Sequence, residues 1–158
     1  MEQKLLELIE TLSPENIILI DTQFLIYHLE DIKPYSSVTA EIMDSVGAKN
    51  SKIFLSLISY TEILVGILNQ KKPGAEKTFK DFIKSNPFIE ILDFKYEISD
   101  TAAGIRSETN LGLADSIIIA TAIKTNIKFL ITNDNDFLKI KNKDLKIIML
   151  DTLIGNKI

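Results

Sequence analysis

Four apolar runs in this chain end on, or just before, an acidic residue with a small polar neighbour. Ile17-Ile18-Leu19-Ile20 closes on Asp21-Thr22, and Ile53-Phe54-Leu55 is followed by Ser59-Tyr60-Thr61-Glu62. Leu113-Ala114-Asp115-Ser116 opens a helical stretch running to Ile123, and Phe129-Leu130-Ile131 closes on Thr132-Asn133-Asp134-Asn135-Asp136. Helix and strand patterns alternate between these points. Alternating β and α units fold as a parallel sheet covered by helices, with right-handed crossovers. In such a sheet the strands' C-terminal ends share one edge, where open α/β sheets bind their ligands. Carboxylates gathered there with few cations repel one another, and a divalent metal held by oxygen ligands relieves the repulsion.

The apolar periodicity predicts an N-terminal amphipathic helix on Leu5, Leu6, Leu8, Ile9 and Leu12, stopping near Ser13-Pro14. Strands are expected at about 17–21, 52–56, 88–92, 128–132 and 146–150. Helices are expected at 22–30, 37–46 (the weakest), 59–70, 75–85, 95–109 and 113–125. The fold class is therefore α/β, a central parallel sheet of about five strands flanked by helices. A chain of 158 residues is long enough for one proper core. It divides into a helical extension at 1–15 and a single domain at 16–158. The apolar stripe of the extension must be buried, either in the protomer's own core, the preferred reading, or in a dimer interface.

Composition removes several function classes. With no cysteine there is no disulfide framework, thiolate zinc site or cysteine nucleophile. The acids Glu2, Glu7 and Glu10 of Met1-Glu2-Gln3-Lys4-Leu5-Leu6-Glu7-Leu8-Ile9-Glu10 stand where a secretion signal carries bases, and no apolar run approaches the length of a bilayer span. A cytoplasmic location is expected. The net charge of −4 and the single arginine, Arg106, leave little room for guanidinium readout of phosphates or bases. Lys139, Lys141, Lys143 and Lys146 read as a solvated face. The lone His28 falls mid-helix beyond the acids, a packing position. Pancreatic-type histidine chemistry needs a second histidine, and serine hydrolysis needs a G-x-S-x-G elbow; neither is present.

Each acid taken singly has a structural explanation. Asp21 can N-cap the helix that begins at Thr22. Ser59-Tyr60-Thr61-Glu62 fits the capping box S-x-x-E. Asp115 can cap the helix from Ser116, and Asp134 and Asp136 suit an Asx-type turn. The joint pattern is more specific, because Ser, Thr and Asn cap as well, yet an acid stands at every one of these strand ends. Asp21 and Glu62, placed in first helical turns, would be kept ionised by the helix dipole.

These four segments resemble, in order, the four motifs of PIN-domain ribonucleases, in particular the VapC-type toxins of toxin–antitoxin systems. The first is Asp21-Thr22-Gln23-Phe24-Leu25-Ile26, and the second Ile58-Ser59-Tyr60-Thr61-Glu62-Ile63. The third is Leu113-Ala114-Asp115-Ser116-Ile117-Ile118, and the fourth Leu130-Ile131-Thr132-Asn133-Asp134-Asn135-Asp136-Phe137. The likeness runs from about residue 16 to 150. It departs from many VapC toxins in the fifteen or so residues before strand one and in its scarcity of arginine.

The resemblance implies a PIN-like, Rossmann-like fold and a metal-dependent endoribonuclease, the toxin of a type II pair. Asp21, Glu62, Asp115 and Asp134 would be catalytic. Asp21, Asp115, Asp134 and Asp136 would ligate Mg2+, with Mn2+ as the alternative. Thr22, Ser59, Ser116 and Thr132 would aim the carboxylates through hydrogen bonds. The implied partners are an RNA substrate, an antitoxin with a basic segment and a second copy of the chain. Two rival readings are a PIN-fold binding module without catalysis and a non-toxin RNA-processing nuclease. A receiver-like signalling domain would want paired acids after strand one, and Asp21 stands alone.

Overall fold

The structure, a computed structural model, describes residues 3–154. All five strands pair in parallel, so every C-terminal strand end lies on the same edge. They are β1 (Ile18–Ile20), β2 (Ile53–Ser56), β3 (Ile89–Leu92), β4 (Phe129–Thr132) and β5 (Lys146–Met149), in the order β3-β2-β1-β4-β5. The chain leaves β1 toward β2 on one side and later returns to place β4 on the other. The crevice between the ends of β1 and β4 is thus the topological switch point, where open α/β sheets place their ligands. Register brings Ile20 opposite both Leu55 and Ile131, and Asp21 N donates to Ile131 O at 3.1 Å. Asp21 therefore emerges beside Thr132.

Among the described residues, seven helices surround the sheet: α1 (Gln3–Thr11), α2 (Thr22–Leu29), α3 (Tyr35–Ala48), α4 (Leu57–Asn69), α5 (Ala75–Ser85), α6 (Tyr96–Thr109) and α7 (Leu113–Lys124). Short strands buried on both faces are uniformly apolar. Ile18, Ile20, Ile53, Leu55 and Ile131 pack in one cluster with Leu25, Ile42 and Val46. Leu19 and Leu130 point the other way, onto Ile118, Ile119 and Ala122 of α7. Every residue from Ser116 to Ala122 is buried, because α7 lies between the sheet and α6. A helix apolar all round needs that double cover.

Two helices differ from the expected bounds by two residues, where the other elements stay within about one. The expected helix at 37–46 runs from Tyr35 to Ala48, its buried face built from Val38, Ile42, Met43 and Val46. The helix expected from residue 59 begins at Leu57, directly after β2, because the Ser56 hydroxyl caps it by accepting from Ile58 N at 3.3 Å.

The stripe of α1 is buried in the protomer's own core. Leu5, Leu8 and Leu12 share the cluster of Ile42 and Val46, and Lys49 Nζ donates to Ile9 O at 2.6 Å near the helix C-terminus. Truncating a buried leucine removes its transfer energy and leaves a cavity. Leu8→Ala should therefore lower stability by about 2–5 kcal/mol in a denaturant titration. A loss below about 0.5 kcal/mol, typical of surface substitutions, would contradict this placement of α1.

Candidate active site

Four carboxylates reach one pocket by different local devices. Asp21 follows β1 and caps α2, with Oδ1 accepting from Phe24 N at 3.1 Å. Its Oδ2 accepts from the Thr132 hydroxyl at 2.5 Å. Thr132 Oγ1 accepts in turn from Asp134 N at 3.0 Å, and Asp134 Oδ1 from Asp136 N at 2.8 Å. The last bond opens a 3-10 turn over Asn135–Lys139. One relay of hydrogen bonds thus crosses the switch point between β1 and β4. Glu62 lies in the second turn of α4, and its Oε2 accepts from the Thr22 hydroxyl at 2.5 Å. Asp115 sits in the first turn of α7, where free amides and the helix dipole favour an anion.

Asp21, Glu62, Asp115 and Asp134 line a pocket of about 230 Å³, completed by Thr22, Gln23, Ile118 and Phe137. Among the described residues, no lysine or arginine lines it. Asp21 is only 4% exposed, and burial pushes its carboxyl up to about 7, against the lowering effect of its hydrogen bonds to Thr132 and Phe24. Asp115 is also raised, first by burial and then by the charges of Asp134, Glu62 and Asp136. Burial comes first for both carboxyls, and neighbouring negative charge adds to it.

Several expected residues take other roles. Asp136 does not line the pocket; its Oδ1 pairs with Lys139 Nζ at 2.7 Å, and it acts on Asp115 only through its charge. Ser59 is not an N-cap, since Ser56 fills that position. The expected capping box does not form, because Ser59 is buried inside α4, and its Oγ has no hydrogen-bond partner among the described residues. Ser116 donates to Gly112 O at 2.8 Å, one turn back along its own chain, and not to a carboxylate. Of the four hydroxyls considered, only Thr22 and Thr132 hold acidic side chains. His28 is packed away from the acids, with Nδ1 3.3 Å from Thr39 Oγ1 and its ring against Phe82. Burial pushes its imidazole below the usual range.

Gln23, Ile118 and Phe137 are pocket residues that sequence reasoning passes over. Gln23 carried a signal, being a polar residue one position beyond Asp21-Thr22 in an otherwise apolar helix. Its Oε1 is buried without a hydrogen-bond partner among the described residues. Ile118 and Phe137 carried none, since an apolar wall looks like any core residue.

Among the described residues, no three His, Cys, Asp or Glu side chains are grouped tightly enough to hold a metal ion as they stand. The carboxylates share a pocket while three of them are held by separate partners, Asp21 by the Thr132 hydroxyl, Glu62 by the Thr22 hydroxyl and Asp134 by Asp136 N. The chemistry of the donor set nevertheless fits a hard dication: oxygen only, acidic, and without a lysine or arginine in the lining.

The sequence matches the PIN domain over residues 18–143. The chain belongs to the PIN domain family. Its match begins after α1, and the sheet and pocket described above are this PIN domain's framework. Solved structures share the fold. A chain of the VapBC2 complex from Rickettsia felis, crystallised on a DNA fragment from its promoter, superposes with a TM-score of 0.66 at 24% identity, covering 84% of this chain and 98% of that one. A chain of a toxin–antitoxin complex from Klebsiella pneumoniae superposes with a TM-score of 0.61 at 25% identity, over 84% and 97% of the two chains. Mycobacterium tuberculosis VapC20, a sarcin–ricin-loop-cleaving toxin, gives a TM-score of 0.61 at 14% identity, over 77% and 92%. No curated protein is similar enough in sequence to match this PIN domain. No helix among its described residues is long and apolar enough to cross a membrane.

Proposed function

We propose that this PIN domain is a metal-dependent endoribonuclease and the toxin of a type II toxin–antitoxin pair. The observation that carries the reading is the convergence of Asp21, Glu62, Asp115 and Asp134, from four separate segments, on a pocket without a lining cation. Asp21, Asp115 and Asp134 would hold Mg2+ or Mn2+, and Glu62 would join them directly or through a water. When bound, the metal lowers the pKa of a water and stabilises the leaving oxygen of a phosphodiester. The chain's own residues orient the carboxylates. Thr132 fixes Asp21 relative to Asp134, and Thr22 fixes Glu62 relative to the start of α2. Ile118 and Phe137 give the pocket an apolar wall. The chemistry does not call on a 2′-hydroxyl, so the choice of RNA rests on family membership and on the shared fold of an RNA-cleaving toxin.

The partners follow from the same pocket. An acidic groove attracts a basic side chain, and an Arg or Lys of an antitoxin segment would stand in for the metal charge. The likeness to chains of toxin–antitoxin complexes supports that partner. A homodimer is the assembly we assign, with residues 16–158 as the nuclease domain and 1–15 as its extension. Sedimentation of the isolated chain should give the mass of a dimer, and a monomer at micromolar concentration would contradict the assignment.

Purified protein should cut single-stranded RNA with Mg2+ or Mn2+, leaving 5′-phosphate and 3′-hydroxyl ends, and stop when EDTA is added. Cleavage that continues in EDTA would overturn the metal mechanism. A folded protein that binds RNA without cutting it under any divalent metal would favour the binding-module reading.

A further inference from the structure

Gly112 is the residue at which α7 begins, and its backbone conformation does not explain why it is a glycine. Its φ of −56° and ψ of 156° are open to any residue. N-caps usually carry a Ser, Thr, Asn or Asp whose oxygen accepts from the first turn, yet this cap makes no side-chain bond. The reason lies one turn ahead. A Cβ at position 112 would stand 2.8 Å from Asp115 Oδ2, closer than real Cβ contacts come. The Asp115 carboxylate lies back over the first turn, in the space a side chain at 112 would take.

The backbone around that contact is tied on both sides. Arg106, the only arginine of the chain, donates from Nη1 to Leu111 O at 2.5 Å, and Leu111 is itself buried. Gly112 O accepts from both Ser116 N at 3.0 Å and Ser116 Oγ at 2.8 Å. With the turn held, the carboxylate is the part free to move. We propose that Gly112 is a positioning residue for Asp115, its missing side chain leaving the carboxylate aimed into the shared pocket. This rests on the metal-site reading given above. The same reasoning gives Ser116, whose hydroxyl does not reach a carboxylate, and Arg106 a role in fixing the turn that Asp115 rides on.

Mn2+ binding followed by electron paramagnetic resonance tests this without reference to cleavage. Gly112→Ala should keep the wild-type circular dichroism spectrum and lose affinity for Mn2+ by about tenfold or more, the scale of disturbing a ligand's support. In an Asp115→Ala background, adding Gly112→Ala should cause no further loss, because the carboxylate it displaces is already gone. Wild-type affinity in Gly112→Ala would overturn the proposal and leave the metal site standing. So would an equal loss in both backgrounds, or collapse of the spectrum, since either would make the glycine a requirement of the fold. Failure of the wild type to bind Mn2+ would overturn the metal site and this proposal together.

Discussion

Asp115→Asn should slow RNA cleavage by about a thousandfold or more, since metal stabilisation of a transition state is worth several kcal/mol and each 1.36 kcal/mol is tenfold. The fold should survive. An amide keeps nearly the volume of the carboxylate, and the Asp115 side chain makes no hydrogen bond among the described residues; the helix start is held by Ser116, Gly112 and Arg106. Removing its charge also removes the repulsion it feels from Asp134, Glu62 and Asp136. Single-turnover cleavage and a thermal melt, run on the same preparation, should show activity gone with the melting temperature unchanged or higher. Cleavage within about tenfold of wild type would be worth only about 1.4 kcal/mol and would exclude Asp115 from the reaction.

The second large effect concerns stability. The Asp21 carboxyl titrates at about 7 in the folded protein, against 3.8 for an unperturbed aspartate. Between those values the folded state holds a proton that the unfolded state has lost. Stability from this group is therefore present at low pH and is lost as pH rises from about 4 to about 7. The full cost above that window is on the order of 4 kcal/mol, at 1.36 kcal/mol per pKa unit. Asn can keep the contacts with Phe24 N and Thr132 while carrying no charge. Asp21→Asn should accordingly be more stable than wild type at pH 8, by up to about that amount, and nearly equal to it at pH 4. A divalent cation bound at the carboxylate would compensate the same buried charge, so Mg2+ should raise the wild-type melting temperature at pH 8 and have much less effect on Asp21→Asn. At sub-saturating Mg2+, cleavage by the wild type should therefore rise as pH increases toward about 7, because Asp21 loses the proton that competes with a cation for its carboxylate. Equal pH dependence of stability in the two proteins would contradict the buried, proton-holding state of Asp21.

What the sequence made legible was what depends on local periodicity and on strand ends. The five strands lie within a residue of their expected bounds at each end, because short apolar runs flanked by Pro, Gly or acid admit few alternatives. Four of the acids line a single pocket: Asp21 and Asp134 follow the ends of β1 and β4, Glu62 lies on the helix that leaves β2, and Asp115 opens α7, which follows a helix and not a strand. Strand order was not legible. Nothing local to Ile18–Ile20 says that it lies between β2 and β4, and only that order brings Asp21 against Thr132. Hydroxyl roles were equally opaque, since a serine three residues earlier, Ser56, takes the cap and leaves Ser59 buried in the helix. Asp134 and Asp136 are near-equivalent in sequence. The structure separates them by a 3-10 turn that directs Asp136 to Lys139. The pocket's apolar wall and the steric meaning of Gly112 exist only in three dimensions.

If four carboxylates of this PIN domain form one metal site, a crystal of the protein soaked in Mn2+, with anomalous data collected at the manganese edge, should show it. A peak is expected between Asp21, Asp115 and Asp134, with Glu62 in contact or one water away. A map with no peak in that pocket at saturating Mn2+, or with its strongest peak elsewhere on the molecule, would contradict it.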